Sequence, residues 1–181
     1  MKATGIVRRI DDLGRLVIPK EIRTTLRIRE GDPLEIFVDR EGEVILKKYS
    51  PIMELGEFAQ EYADSLHEST DHIACIADRD VIVAVAGASR QKLEEKAIGQ
   101  MTERIMEERR TLLVTDHEET QELIQEYTLD FKAAVVAPII TRGDLIGAVL
   151  LCTEDPDADM GDLEVKLAET AAGFLAKQME Q

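Results

Sequence analysis

Tryptophan is absent from this chain, and aromatic residues make up only 4% of it. Any core must be built from aliphatic side chains. Val, Ile, Leu and Ala are plentiful, which excludes a disordered chain. Cysteine occurs twice, at Cys75 and Cys152, each inside an apolar strand-like run. That count excludes a disulfide framework and suits small core hydrophobes in a reducing compartment, so a cytoplasmic protein is expected. No apolar run approaches the ~18–20 residues of a membrane span. Met1-Lys2-Ala3-Thr4 leads into an arginine-bearing segment, not the apolar core of a signal peptide. The three histidines, His67, His72 and His117, are dispersed and lack metal-like spacing. There is no phosphate-binding glycine loop and no nucleophile–base signature. Neither an enzyme nor a bound cofactor or metal is expected.

Two short motifs invite a reading and fail it. Asp155, Asp157 and Asp159 imitate the start of a calcium loop, but Met160 stands where glycine is required and Lys166 where a bidentate glutamate should be. Acidic residues before a helix suit its macrodipole without an ion. Arg142-Gly143-Asp144 spells an adhesion tripeptide, but a hairpin turn explains it better.

Charge is distributed unevenly. The 181 residues carry a formal net charge of −15. Residues 1–29 hold eight basic and three acidic residues, a net +5, whereas residues 51–181 hold 11 basic and 28 acidic, a net −17. Such a split points to a nucleic-acid-binding arm joined to something else. One or two domains are expected at this length, divided as 1–50 and 51–181.

Residues 6–10 (Ile6-Val7-Arg8-Arg9-Ile10) are β-prone, Asp11-Asp12-Leu13-Gly14 has turn chemistry, and residues 15–18 read as a second strand. Pro19 suits the first position of a short helix, with Ile22 and Leu26 on one face. Gly31-Asp32-Pro33 ends that unit. Leu34, Ile36 and Val38 alternate with Glu35 and Phe37, and residues 43–48 form the return strand. Four short strands and two helical turns bury too little to offset chain entropy. The expected remedy is a second copy, giving an obligate dimer with interleaved strands.

The run from Thr4-Gly5-Ile6-Val7-Arg8-Arg9 through Asp11-Asp12-Leu13-Gly14-Arg15 to Ile18-Pro19-Lys20-Glu21-Ile22-Arg23, with Gly31-Asp32 following, closely resembles the AbrB-type swapped-hairpin DNA-binding domain. The full chain resembles spore-former transcription regulators that append a GAF-like domain to such a module. The resemblance implies an intertwined dimer, a β-rich barrel, whose arginines reach the major groove and phosphates of double-stranded DNA. Arg8, Arg15 and Arg23 carry over best, with Lys2, Arg9 and Lys20 in support. Thr24 stands where many relatives have a second basic residue. Independently of the resemblance, arginine offers a planar bidentate donor for guanine or phosphate. Dimerisation doubles the arm's charge to about +10, a plausible phosphate footprint.

In residues 51–181, Ser50 and Pro51 are expected to cap a connector helix over 52–68, with Leu55, Ala59, Tyr62 and Leu66 on its buried face. Strands follow at 72–78 and 81–86 around the turn Arg79-Asp80, helices at 87–96 and 99–110, and a brief strand at 111–114. Residues 115–130 look irregular. Strong strands at 133–141 and 145–153 precede a final helix over 163–179. The pattern suits an α+β domain: an antiparallel sheet with helices on one face and at the ends. It resembles a GAF sensor, although PAS-like or profilin-like sheets also fit. The GAF resemblance implies pairing of helices 52–68 and 162–179 between subunits, which would join dimers into a tetramer.

It also raises an unidentified small-molecule ligand. The ligand-binding residues are unknown; candidate walls are Cys75, Ala77, Val83, Val85 and Ser89 with Val135, Ala137, Ile139, Val149 and Leu151, all equally suited to a core. The leading expectation is a DNA-binding transcription regulator of sporulation genes, without a membrane partner. The alternatives are an antitoxin-like swapped-hairpin module and, third, a GAF-fold redox enzyme. The last is poorly supported, because neither cysteine has a basic activator nearby.

Overall fold

The computed structural model describes residues 5–126 and 130–180. The chain divides into two compact units, Met1–Tyr49 and Ser50–Gln181. The first contains helix α1 (Lys20–Thr25) and strands β1 (Leu34–Val38) and β2 (Val44–Lys48). β1 and β2 form an antiparallel hairpin, paired from Leu34↔Lys48 to Val38↔Val44. Pro19 lies one residue outside the helix. Its ψ of 146° keeps it extended, while its carbonyl accepts the first helical bond from the Arg23 N–H at 3.0 Å.

Residues 6–10 and 15–18 form no strands within this single chain. The reason is the absence of an adjacent strand to complete a ladder: Val7 is 85% exposed and Val17 72%. The β1–β2 hairpin has no covered face either, with Ile36 65% exposed. A lone two-stranded hairpin is marginal in water.

The second unit begins with α2 (Pro51–Glu54) and α3 (Glu57–Thr70). Ser50 caps α2 as expected, its Oγ accepting from the Met53 N–H at 3.4 Å, and Pro51 opens it. The single helix expected over 52–68 is interrupted at Gly56, where φ is +43° and ψ −116°. Next come β3 (Ile73–Asp78), β4 (Ile82–Ala86), α4 (Arg90–Leu93), α5 (Gln100–Glu108), β5 (Leu112–Val114), α6 (His117–Gln121), β6 (Ala133–Thr141), β7 (Asp144–Thr153) and α7 (Asp162–Gln178). The stretch expected to be irregular contains α6. The Asp116 carboxylate starts it by accepting the Glu118 and Glu119 N–H groups.

The sheet runs β4-β3-β7-β6-β5, antiparallel throughout. Helices cover both faces, not one. Ala74, Ile76, Val135, Val149 and Leu151 pack with Ala59 and Ala63 of α3 and Ala171 and Leu175 of α7. The opposite set, Cys75, Ala77, Val136, Leu150 and Cys152, packs with Met101 and Ile105 of α5, together with Leu123 and Phe131. Two-sided burial explains why β3 and β7 read as continuous apolar runs instead of alternating ones.

Gly147 pairs with Asp78 in the centre of this sheet. A Cβ there would lie 2.0 Å from the Ala77 carbonyl oxygen and 2.5 Å from Ile52 Cδ1. Backbone on a central strand cannot yield cheaply. Gly147→Ala is therefore expected to destabilise the second unit by about 1–3 kcal/mol in a denaturant titration. An unchanged midpoint would mean that β3 and β7 can slide apart freely.

Candidate nucleic-acid interface

Five of the six residues expected to meet DNA lie on the exposed surface of the first unit: Arg8, Arg9, Arg15, Lys20 and Arg23. Lys2 lies outside the described residues. Lys20 opens α1, and Arg23 sits in its last turn. Arg8 borders a hollow of about 290 Å³ whose other walls include Ile6, Leu16, Val17, Ile22 and Leu46. A guanidinium therefore stands beside an apolar depression that the chain leaves unfilled.

The turn before Arg15 is closed by a set of short hydrogen bonds. The Asp11 N–H donates to the Arg15 carbonyl at 3.1 Å, and the Gly14 N–H to the Asp11 carbonyl at 3.0 Å. Asp11 Oδ1 accepts the Leu13 N–H at 3.0 Å and the Arg15 N–H at 2.8 Å. Its Oδ2 accepts Arg15 Nε at 2.8 Å. Gly14 supplies the left-handed residue this closure requires, at φ +74°. The Arg15 N–H and then its guanidinium hold the Asp11 carboxyl below its ordinary pKa. The group is thus an anion at neutral pH. The Arg15 side chain remains 69% exposed.

A second brace shapes the segment between α1 and β1. Lys48 Nζ donates to the Arg27 carbonyl at 2.7 Å and lies 3.4 Å from Asp32 Oδ2. The same Asp32 oxygen accepts the Arg29 N–H at 2.7 Å. Sequence reasoning treated Asp11 as generic turn chemistry and assigned Lys48 nothing. The spacing of Asp11 to Arg15 by four, across a glycine, was the available signal for the first; Lys48 had none.

In the second unit the expected ligand walls do not come together. Cys75, Ala77 and Val85 belong to one face of the sheet, and Val135, Ala137, Ile139, Val149 and Leu151 to the other. Ser89 is exposed ahead of α4. The sheet itself separates them, so they cannot enclose one molecule. Val83 instead borders a hollow of about 560 Å³ at the β4 edge, with Ile52, Met53, Gln60, Val81 and Glu94. Beside it the Gln60 amide imitates a strand, donating to the Val85 carbonyl at 2.8 Å and accepting the Val85 N–H at 3.1 Å.

The histidines serve local structure. His67 Nδ1 is 2.8 Å from the His72 carbonyl, His72 Nε2 is 3.9 Å from buried Glu164, and His117 Nδ1 is 3.5 Å from Asp130. Glu164 also accepts the Gly161 N–H at the start of α7. Asp155 accepts the Asp157 N–H, closing its loop on itself. Among the described residues, no cluster of three or more His, Cys, Asp or Glu could hold a metal ion. Among them, too, no helix is long and apolar enough to cross a membrane. Arg142 and Gly143 form the β6–β7 turn, and Arg142 donates to the Glu180 carbonyl.

Cys75 and Cys152 are fully buried on one face of the sheet. Burial pushes the Cys75 thiol up to about 12. Burial raises Cys152 well above its ordinary value, and the neighbouring Cys75 adds to the effect. Neither is a thiolate at neutral pH, and so neither is a nucleophile. Both should resist a thiol-specific alkylating reagent in the native protein and react once it is denatured. Rapid native alkylation, followed by mass spectrometry, would contradict this assignment.

Comparison with known proteins agrees with both units. Residues 54–180 match the family described as stage V sporulation protein T C-terminal, transcription factor. Residues 7–53 match the family described as antidote-toxin recognition MazE, bacterial antitoxin. Stage V sporulation protein T of Bacillus subtilis (strain 168) is 60% identical over 181 residues, 100% of both chains. The transition state regulatory protein AbrB of the same strain is 64% identical over 53 residues, 29% of this chain and 54% of that one. A GAF domain from a phosphoenolpyruvate-protein phosphotransferase of Coxiella burnetii superposes with a TM-score of 0.56 at 15% identity, covering 72% of this chain and 88% of that one. A type II free methionine-R-sulfoxide reductase from Thermoplasma acidophilum gives a TM-score of 0.56 at 14% identity, over 70% and 95%. Likeness at such identities shows the fold.

An AbrB-like basic module followed by a GAF-like antiparallel sheet defines a two-part transcription regulator. The chain belongs to the stage V sporulation protein T family of transcription factors.

Proposed function

We propose that the chain binds double-stranded DNA as an intertwined dimer through residues 1–50 and regulates sporulation genes in the cytoplasm. Arg8, Arg15 and Arg23 contact bases and phosphates, with Lys2, Arg9 and Lys20 adding phosphate contacts. One observation carries this reading: the first unit leaves Val7, Ile10, Leu16, Val17, Ile36, Val38 and Val44 exposed among its guanidinium groups. An apolar surface of that extent on so small a unit calls for a partner, and an identical copy also doubles the positive charge. Segments 6–10 and 15–18 then gain the strand neighbours they lack.

The second unit joins dimers into a tetramer through helices 52–68 and 162–179. Support comes from a patch shared by α3 and α7. The Tyr62 and Phe174 rings stack with centroids 5.3 Å apart, and Phe58 lies 5.9 Å from Phe174. Phe174 is 39% exposed, an unusual position for an aromatic unless another surface covers it. The hollow at the β4 edge gives a small effector room within the same unit.

The antitoxin reading draws on the match over residues 7–53. It is disfavoured by the folded unit that follows, whose two-sided core is unlike a toxin-binding tail. Co-purification of a stoichiometric toxin would revive it.

The full-length protein should bind a duplex selected from a random pool, with affinity falling steeply as salt rises. Arg15→Ala is expected to weaken that binding by roughly 1–3 kcal/mol in a fluorescence titration. Undiminished affinity would remove Arg15 from the interface. For assembly, Val17→Asp should split the dimer, and Phe174→Glu should reduce the tetramer to a dimer, by light scattering. Neither mass changing would refute both contacts.

A further inference from the structure

The Asp11–Arg15 turn sets a puzzle for a DNA-binding surface. A carboxylate beside a phosphate backbone is repelled by it, yet this one sits against an exposed arginine. Its two oxygens together take three donors: the Leu13 N–H, the Arg15 N–H and Arg15 Nε. Two of these fix the backbone of the turn, and the third fixes the side chain. We propose that Asp11 is a positioning residue that makes Arg15 a reader of bases instead of a phosphate clamp. This rests on the DNA-binding reading given above and deepens it.

Arg15 spends only Nε on Asp11. Its two terminal amino groups meet no other group among the described residues and remain as a planar pair of donors. A free arginine loses rotamer freedom when it docks; an arginine already held by its neck loses less. The pair Asp11–Arg15 is also close to electrically neutral. Its attraction to a phosphate anion is largely cancelled, whereas directional hydrogen bonds to neutral acceptors persist. Guanine presents such acceptors at O6 and N7 in the major groove. The turn therefore selects a neutral, paired acceptor over a charged one. Arg9 and Lys20, by contrast, have no carboxylate partner among the described residues and are left to phosphates.

The proposal predicts an effect opposite in sign to that of simple electrostatics. Removing an acid near DNA should tighten binding everywhere if Asp11 is a bystander. Asp11→Asn in the full-length protein should instead weaken binding to a duplex selected by the wild type by roughly fivefold to tenfold. Binding to a random-sequence duplex of equal length should stay level or rise, and the salt dependence should steepen. The same substitution in an Arg15→Ala background should cause no further loss of discrimination, because Asp11 acts through Arg15. Circular dichroism and solution mass show whether the Asn variant keeps its fold and assembly. If it does not, Arg15→Lys, which leaves the Asp11 carboxylate and its turn in place, decides: the proposal requires it to lose discrimination between the two duplexes. The proposal fails if Asp11→Asn binds the selected duplex as well as the wild type does, or if the two substitutions reduce discrimination additively. A wild-type protein that enriches no duplex at all rejects the DNA-binding reading itself, and this inference with it.

Discussion

The first unit is too small to bury its own apolar side chains. Nine aliphatic residues within it, Val7, Ile10, Leu13, Leu16, Val17, Leu26, Ile36, Val38 and Val44, are each more than half exposed. Full burial of one such side chain contributes about 1.5–3 kcal/mol. Covering even half of that surface against a second copy would supply on the order of 10 kcal/mol, comparable with the whole stability of an ordinary domain. With a second copy covering it, folding and assembly of the arm would be one event, and its stability would be inseparable from protomer concentration. The exposed guanidinium groups would inherit that dependence.

Charge works within the same constraint. The chain as a whole is strongly acidic, so any attraction to DNA would have to come from a local concentration of positive charge. Within the arm, Asp11 neutralises one arginine at short range, and Asp32 with Lys48 braces the backbone between α1 and β1. In the proposed complex, the braced donor would fix register against base edges and the unbraced charges would supply salt-dependent affinity.

Much of the second unit could be read from the sequence because its signals are local. Ser50 followed by Pro51 starts a helix for reasons contained in those two residues, and β6 spans residues 133–141 as its β-branched run implies. The errors come from non-local causes. The interruption at Gly56 cannot be told from a tolerated helical glycine by periodicity. A sheet covered on both faces erases the alternation that would have separated Cys75 and Val85 from Val135 and Val149, so residues on opposite sides looked like one wall. Helix α6 was visible in principle, since Asp116 followed by acidic residues is a capping pattern; high local charge concealed it. In the arm, the residue types at 6–10 and 15–18 report a preference for strands, but a strand also needs a neighbour, which the sequence of one chain does not display.

A marginal arm fused to a folded unit would respond to any association of that unit. In the proposed tetramer, joining arm pairs through their second units would raise the effective concentration of one pair beside the other on DNA. The link is entropic and needs no contact between the two units. Loosening the proposed contact through α3 and α7, by a charge placed at Phe174, would remove that gain. DNA affinity would then fall although no residue of the arm had changed. A small effector at the β4 edge, beside α2 and α3, would gain control of transcription by the same route.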